Sequence, residues 1–539
     1  MTQTVGKKRN EKRGSVYKNA VRLVLIGSVT GVFSGAVTSA FNLLAHKGEE
    51  ISRNAYAFVR SNPAFLPLLF LALLFGAFAL TVAVKISTVS SGCGIPQAEG
   101  ATRGLIRFCW WRDLMATFFS CALGIFLGLS IGAEGPSVLI GACVGDGVAA
   151  CFRSNEMIKK YQITGGACAG LAVSSNAPLT GMVFAFEEAH KRFTPEVFIC
   201  SFSSVVFGIL TRSLVYSALG IEIESAFHSY VLCELPFSAY GYVLPAGLLC
   251  GGLGVLFYKT CFRLRRAFKK IRCKKKTRAS FYKLTIAVLL GGVVSLLSAD
   301  VMGGGHGFIE SLGTSGGAHI PNPETSLNLP LIWSLLLIFL LKFLVTGVNV
   351  GAGLPCGIFI PILALGACIG GVLSGVFVKF GMDGTYSDLI VMICMAAFFT
   401  TIVKAPLTAI IMVCEFTVSF APLLPVIIAV SIGYIFGDIF RIDGIYEELL
   451  ETYAQDNGIR ERAVKEIFTL TLAFGAIAEK RELRNVLWPA GARVIEIRRG
   501  EERILPDGDT LLKGGDILTV VCETDEPQKC KEHLLHILS

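Results

Sequence analysis

Charge is what this sequence has little of. Asp, Glu, Lys and Arg make up 17% of the 539 residues while hydrophobic residues make up 53%, and the mean hydropathy is +0.63. That balance excludes an ordinary soluble globular protein of this length and makes a bilayer the solvent. Metal motifs are missing as well. The 17 cysteines are scattered through apolar segments without ligand spacing, which reads as buried thiols in a reducing or lipid environment. Glu187-Glu188-Ala-His190 is not His-Glu-x-x-His, and no Gly-x-Ser-x-Gly elbow comes with a base, so an intramembrane enzyme is rejected. No Thr-Val-Gly-Tyr-Gly carbonyl ladder is present, which rejects a potassium pore. No aromatic-interleaved basic fold accompanies the basic runs, so the net charge of +9 does not indicate nucleic acid binding. Neither a metal nor a cofactor is expected.

What is present is a series of apolar stretches long enough to enter a hydrocarbon core. The clearest are Leu23 to Leu44, Phe65 to Val84, Thr117 to Ile131, Phe198 to Leu219, Tyr242 to Phe257, Leu284 to Leu297, Leu329 to Val350 and Leu389 to Thr401. Others are short and cut by Gly or Pro, the pattern of broken and re-entrant helices. The first stretch follows Lys7, Lys8, Arg9, Lys12 and Arg13 but is too long for a signal-peptide core, and many more spans follow. A second basic segment, Arg263 to Lys283 with Lys274, Lys275 and Lys276, lies between two spans, so it and the N-terminus share the cytoplasmic side.

An internal repeat organises this region. Asn176 to Ala189 and Lys404 to Thr417 both contain Ala-Pro-Leu-Thr followed by a glutamate. Pro136 precedes Gly141-Ala-Cys-Val-Gly145, and Pro361 precedes Gly366-Ala-Cys-Ile-Gly370. A glycine-rich break also occurs in each half, Gly92-Cys-Gly-Ile-Pro96 and Gly303-Gly-Gly-His-Gly307. Duplicated halves with matching breaks are the signature of a transporter whose site lies between them. The expected organisation is a basic cytoplasmic segment over 1–21, a membrane domain over 22–456 with repeats over 22–235 and 236–456, and a small α+β domain over 457–539. In that tail, strands are expected over Ile467 to Phe474, Arg493 to Ile497, Arg503 to Leu505 and Ile517 to Cys522, with a helix over Glu479 to Leu487. Val494-Ile-Glu-Ile-Arg-Arg-Gly500 through Asp516-Ile-Leu-Thr-Val520 is similar to RCK regulators of the TrkA-C type. That resemblance implies a regulatory cytoplasmic domain with a possible small-molecule ligand. His533 and His536, one turn apart, read as a solvated helix face in preference to a metal pair.

Helix N-termini attract anions without carrying a full charge, and Pro is favoured at the first helical position. Three glycine-proline helix starts are present: Gly92, Gly94, Ile95 and Pro96 around Cys93; Gly132, Gly135 and Pro136 around Glu134; and Gly357-Ile-Phe-Ile-Pro361. Glu134 is the charge in an otherwise uncharged segment, and carboxylates at membrane depth are costly and usually functional.

Together and in this order these segments resemble the signatures of the CLC chloride channel and transporter family. The resemblance implies an all-α inverted repeat, a homodimer with one anion pathway per subunit, and chloride and protons as the transported species. Cys93, the amides of Ile358 and Phe359, and the hydroxyl of Tyr446 match the family's chloride contacts. Glu134 matches the gating and external proton glutamate, and Glu188 the internal proton glutamate. Passive channels of the family usually lack that last carboxylate, so the resemblance implies chloride/proton antiport, with a passive gated channel as the alternative. The retained tyrosine and internal glutamate argue against the fluoride-exporting branch. Two positions depart from the pattern. Cys93 stands where Ser is usual, a weaker donor that leaves anion preference open, and Ala133 stands where a basic residue is usual. The expected setting is a bacterial inner membrane with both termini cytoplasmic.

Overall fold

The computed structural model describes all residues except 1, 192–193, 223–226, 272, 274, 315–319, 321–328, 458–463, 487, 490 and 525–526. Lys274 and Leu487 thus lie outside the described residues. The chain divides into two units, Met1–Leu450 and Glu451–Ser539.

The first unit is helical. In order it contains α1 (Thr2–Ser61), α2 (Leu66–Ile86), α3 (Ile95–Thr102), α4 (Trp110–Phe126), α5 (Glu134–Cys151), α6 (Glu156–Ser175), α7 (Pro178–Phe184), α8 (Pro195–Ala218) and α9 (Val243–Lys269). It continues with α10 (Lys276–Leu297), α11 (His306–Ser311), α12 (Leu331–Ala352), α13 (Phe359–Lys379), α14 (Ser387–Val403), α15 (Pro406–Phe416) and α16 (Leu423–Ile439), and α17 (Ile445–Asp456) begins at its end. Among the described residues eight helical stretches are long and apolar enough to cross a membrane. They are not equivalent: Pro63–Ile86 is 28% buried inside the protein, whereas Phe359–Lys379 and Gly384–Val403 are 78% and 94% buried. The former lies at the periphery of the unit, and the latter two form its interior.

Thr117 to Ile131, expected as one apolar run, is not among the eight. α4 ends at Phe126, and Gly128 adopts φ +73°, a conformation available to glycine at little cost. The chain turns there and delivers Glu134 to the start of α5.

The repeat becomes geometry through its punctuation. Asn176 ends α6 and Lys404 ends α14, both in the left-handed conformation, at φ 53° and 70°. Two residues later Pro178 and Pro406 begin α7 and α15 at the position where a missing N–H costs nothing. The paired glycines set the helix packing: a Cβ on Gly141 would sit 2.1 Å from the carbonyl oxygen of Gly166, and one on Gly366 2.6 Å from Met395 Cα. Small residues let α5 approach α6, and α13 approach α14, backbone to backbone.

The second unit holds a four-stranded antiparallel sheet, β1 (Val464–Thr471), β2 (Ala492–Arg499), β3 (Glu502–Ile504) and β4 (Ile517–Thr524), in the order β1-β4-β2-β3. The helix α18 (Pro527–Leu538) follows. Leu534, Ile537 and Leu538 join the core with Val494, Ile497, Leu518 and Val520, while His533 and His536 point outward and are exposed. The helix expected over Glu479 to Leu487 does not form: the segment contains turns and a short 3-10 element, Leu483–Asn485. Its backbone pairs with a distant segment, Lys480 N–H donating to Leu512 and Leu512 N–H to Arg481, at 2.9 and 3.0 Å. Tertiary pairing has overridden local propensity. The tail also departs from the expectation of free thiols, because Cys522 and Cys530 are joined as a disulfide.

Candidate functional site

The three glycine-proline segments meet. Gly132 and Gly357 form an isolated antiparallel bridge, Gly132 N–H donating to Gly357 at 2.8 Å and the reverse bond at 3.1 Å. Cys356 N–H donates to Gly92 at 3.1 Å, tying in the first segment. The glycines are needed here: a Cβ on Gly94 would lie 2.3 Å from the carbonyl oxygen of Gly135, and one on Gly135 2.1 Å from that of Cys93. Gly92 and Gly94 also take φ +100° and +88°. Three helices, α3, α5 and α13, therefore begin at one place, and their dipoles favour negative charge there. At α3 the N-terminus is closed by Gln97, which accepts from Gly94 N–H at 2.9 Å and donates to Ser91 at 2.5 Å. At α13 the amides of Ile358 and Phe359 donate no hydrogen bond among the described residues.

Cys93 and Tyr446 are both buried, at 2% and 1% exposure, and the Tyr446 hydroxyl has no hydrogen-bond partner among the described residues. Leaving a buried hydroxyl unpaired is costly. Tyr446 is within electrostatic range of Cys93, Glu134 and Cys356 and also of Glu188.

Glu134 opens α5 and is 3% exposed. Its Oε2 is buried without a partner among the described residues, and its Oε1 lies 3.5 Å from His306 Nε2. Both residues line a cavity of about 890 Å³ that also contains Ala133, His46, Glu49 and Arg212. Arg212 has buried, unpartnered Nε and Nη1 atoms and stacks its guanidinium 5.0 Å from the Tyr216 ring. His306 is a residue that sequence reasoning passed over. It lies in the glycine-rich break of the second half, a position noted only for its glycines.

Glu188 is placed elsewhere. It is 6% exposed and sits in a π-helical turn, Ala185–Ala189, that continues α7; such turns are frequent at functional sites. Glu99, Lys191, Glu187 and Arg103 surround it electrostatically. Glu99, also missed in the sequence, is 2% exposed, pairs with Arg103, and leaves Oε2 unpartnered. Arg103 and Lys191 both pair with Glu447. Glu99 lies on α3 about 6 Å along the axis from Ile95 at its start, so this helix connects the Cys93 segment to the second region. The neighbouring Glu187 is structural. Its carboxylate accepts from Leu407 N–H, Thr408 N–H and Thr408 Oγ1 at 2.7, 2.6 and 2.6 Å, capping α15. Glu415 caps α7 in return through Leu179 and Thr180.

A transporter of Vibrio cholerae serotype O1 named "H(+)/Cl(-) exchange transporter ClcA" is 29% identical over 458 residues, covering 83% of this chain and 92% of the relative. A protein of the same name from Yersinia pestis bv. Antiqua is 28% identical, covering 77% and 86%. Among solved structures, a slow cyanobacterial Cl-/H+ antiporter superposes with a TM-score of 0.71 at 22% identity, over 81% of this chain and 99% of the other. A CLC-type fluoride/proton antiporter superposes at 0.61 with 22% identity, over 77% and 95%. Residues 467–533 match the TrkA-C domain. Residues 75–438 match the family described as voltage gated chloride channel, and the chain therefore belongs to that CLC family.

Proposed function

We propose that this chain is a chloride/proton antiporter of a bacterial inner membrane. It works as a homodimer with one pathway per subunit, both termini lying on the cytoplasmic side. The observation that carries the reading is the buried, half-unpartnered carboxylate of Glu134 at the meeting point of three helix starts. An ionised carboxylate is itself an anion and competes with chloride for the positive ends of helices; protonated, it yields the site. Proton and chloride occupancy are thereby linked. Chloride is held by the amides of Ile358 and Phe359, the Tyr446 hydroxyl and the Cys93 segment, without a full positive charge that would trap it. Protons leave the common path for Glu188, with Glu99 beside it. Ala133 removes the family's usual basic residue from the outer approach, and Arg212 supplies positive charge to the same cavity. The TrkA-C tail regulates transport through a small ligand and forms no part of the pathway.

The test is purified protein in chloride-loaded liposomes, with chloride efflux and proton uptake recorded together. Protons driven against their gradient by chloride are expected. Chloride flux without proton movement at any pH would leave the passive channel standing.

A further inference from the structure

We propose that His306 is the outer proton donor to Glu134, collecting protons from the vestibule and passing them to the carboxylate. The proposal rests on the antiport reading and adds a residue to it. His306 Nε2 is 3.5 Å from Glu134 Oε1, and the imidazole is 32% exposed while the carboxylate is 4% exposed. The histidine thus has one side in the cavity and the other on a carboxylate that water barely reaches.

The position is built, not incidental. Gly305, at φ +100°, turns the chain into α11. Lys342, fully buried on α12, donates to Ser130 Oγ, Val301 O and Gly303 O at 3.3, 3.2 and 3.4 Å. This lysine clips the loop that carries His306 to the loop that leads into Glu134, using all three of its N–H donors. The Phe227 ring packs 5.4 Å from the imidazole and covers its far side.

Of the other charged groups around the imidazole, Glu49 and Glu310 each hold a partner, although Glu310 Oε2 is buried with none among the described residues. On α1, Glu49 pairs with Arg53 at 3.1 Å. On α11, Glu310 takes Ser229 N–H at 2.8 Å and His228 at 2.9 Å. Arg212 on α8 and His46 on α1 line the same cavity; the guanidinium, and His46 when it is protonated, oppose a charged imidazole. Glu134 Oε1 is the acceptor that Nε2 meets, at 3.5 Å.

The step is balanced. Vestibule water or buffer protonates the imidazole at Nδ1. The Nε2–H bond then breaks as an O–H bond forms at Oε1, leaving a neutral imidazole with its proton on Nδ1 and a neutral carboxylic acid. A histidine suits this because its charge changes in the physiological range, where free protons are too scarce to reach a buried carboxylate quickly.

The experiment measures coupled turnover of full-length H306Q and H306A in liposomes at symmetric pH from about 5 to 8. Both variants are expected to fall roughly tenfold near pH 7.5 and to approach wild type near pH 5. Chloride-to-proton stoichiometry should stay the same, and imidazole in the buffer should restore H306A. In the Glu134→Ala background, adding H306A should change chloride leak little, since its effect acts through the carboxylate. A wild-type pH profile for H306Q overturns the inference. So does an equal loss at every pH that imidazole does not repair, the mark of a packing role. Wild-type protein that moves no protons would instead overturn the antiport reading, so the two failures are distinguishable.

Discussion

The two repeats differ most where they are otherwise most alike. Each has a glutamate that crosses to cap the opposite repeat's helix, Glu187 on α15 and Glu415 on α7. In the first repeat the next residue is Glu188. In the second it is Phe416, 1% exposed and packed edge-on against Phe227 at 5.1 Å. The same exchange occurs at the site. Two residues before Pro136 stands Glu134, and two residues before Pro361 stands Phe359, which packs on Phe399 at 4.9 Å. The scaffold is symmetric, whereas both carboxylates assigned to protons lie on one half and phenylalanines occupy their counterparts. Fold and chemistry are thus separable: the shared glutamates hold the halves together, and the unshared ones are those we assign to proton movement.

The largest effect should come from Glu134→Ala. Removing both the proton carrier and the competing anion should abolish coupling entirely and leave a chloride leak; coupled proton uptake in this variant would break the assignment. Glu188→Gln should stop proton transport while chloride still moves, and adding Phe416→Glu to it should not restore pumping. Recovery in that double variant would show that the halves are interchangeable. Next come the caps. Glu187→Gln and Glu415→Gln each weaken three charge-assisted bonds, so each should destabilise the membrane unit by on the order of 3 kcal/mol. Thermal unfolding in detergent should give similar shifts for the two, and a marked inequality would break the symmetry. The smallest transport effect is Cys93→Ser, expected to shift the nitrate-to-chloride flux ratio and leave coupling intact.

The tail offers a contrast outside the membrane. Asp516 is buried, which raises its carboxyl, but two bonds from Arg499 at 2.7 and 2.8 Å and the Lys513 amide outweigh that and hold it below the ordinary range. A depressed folded value means that the contribution to stability is complete above the ordinary aspartate value. It is lost as pH falls from about 4 through the folded one. Hydrogen exchange on the full chain should therefore show protection of β2 and β4 declining in that window, and Asp516→Asn should remove the pH dependence.

Much of the site was legible because its signals are local. Gly94, Gly135 and Gly357 stand out beside prolines, and their backbone contacts explain why no side chain could replace them. Glu134 was visible as a charge without company. His306 and Glu99 were not, since each matters through a neighbour that no short-range pattern connects to it. Residues 479–487 failed for the same reason, a helix-like composition pairing instead with residues 508–512.

By itself the sequence determined the solvent, the broken helices, the duplication and the three helix starts, all of which follow from apolar length and from the backbone limits of Gly and Pro. Only the tertiary structure decided that Glu187 and Glu415 exchange partners across 220 and 236 residues, that Lys342 fixes two loops at once, and that a histidine stands beside the Glu134 carboxylate. Such contacts are made through space, between segments whose separation along the chain carries no trace of their meeting.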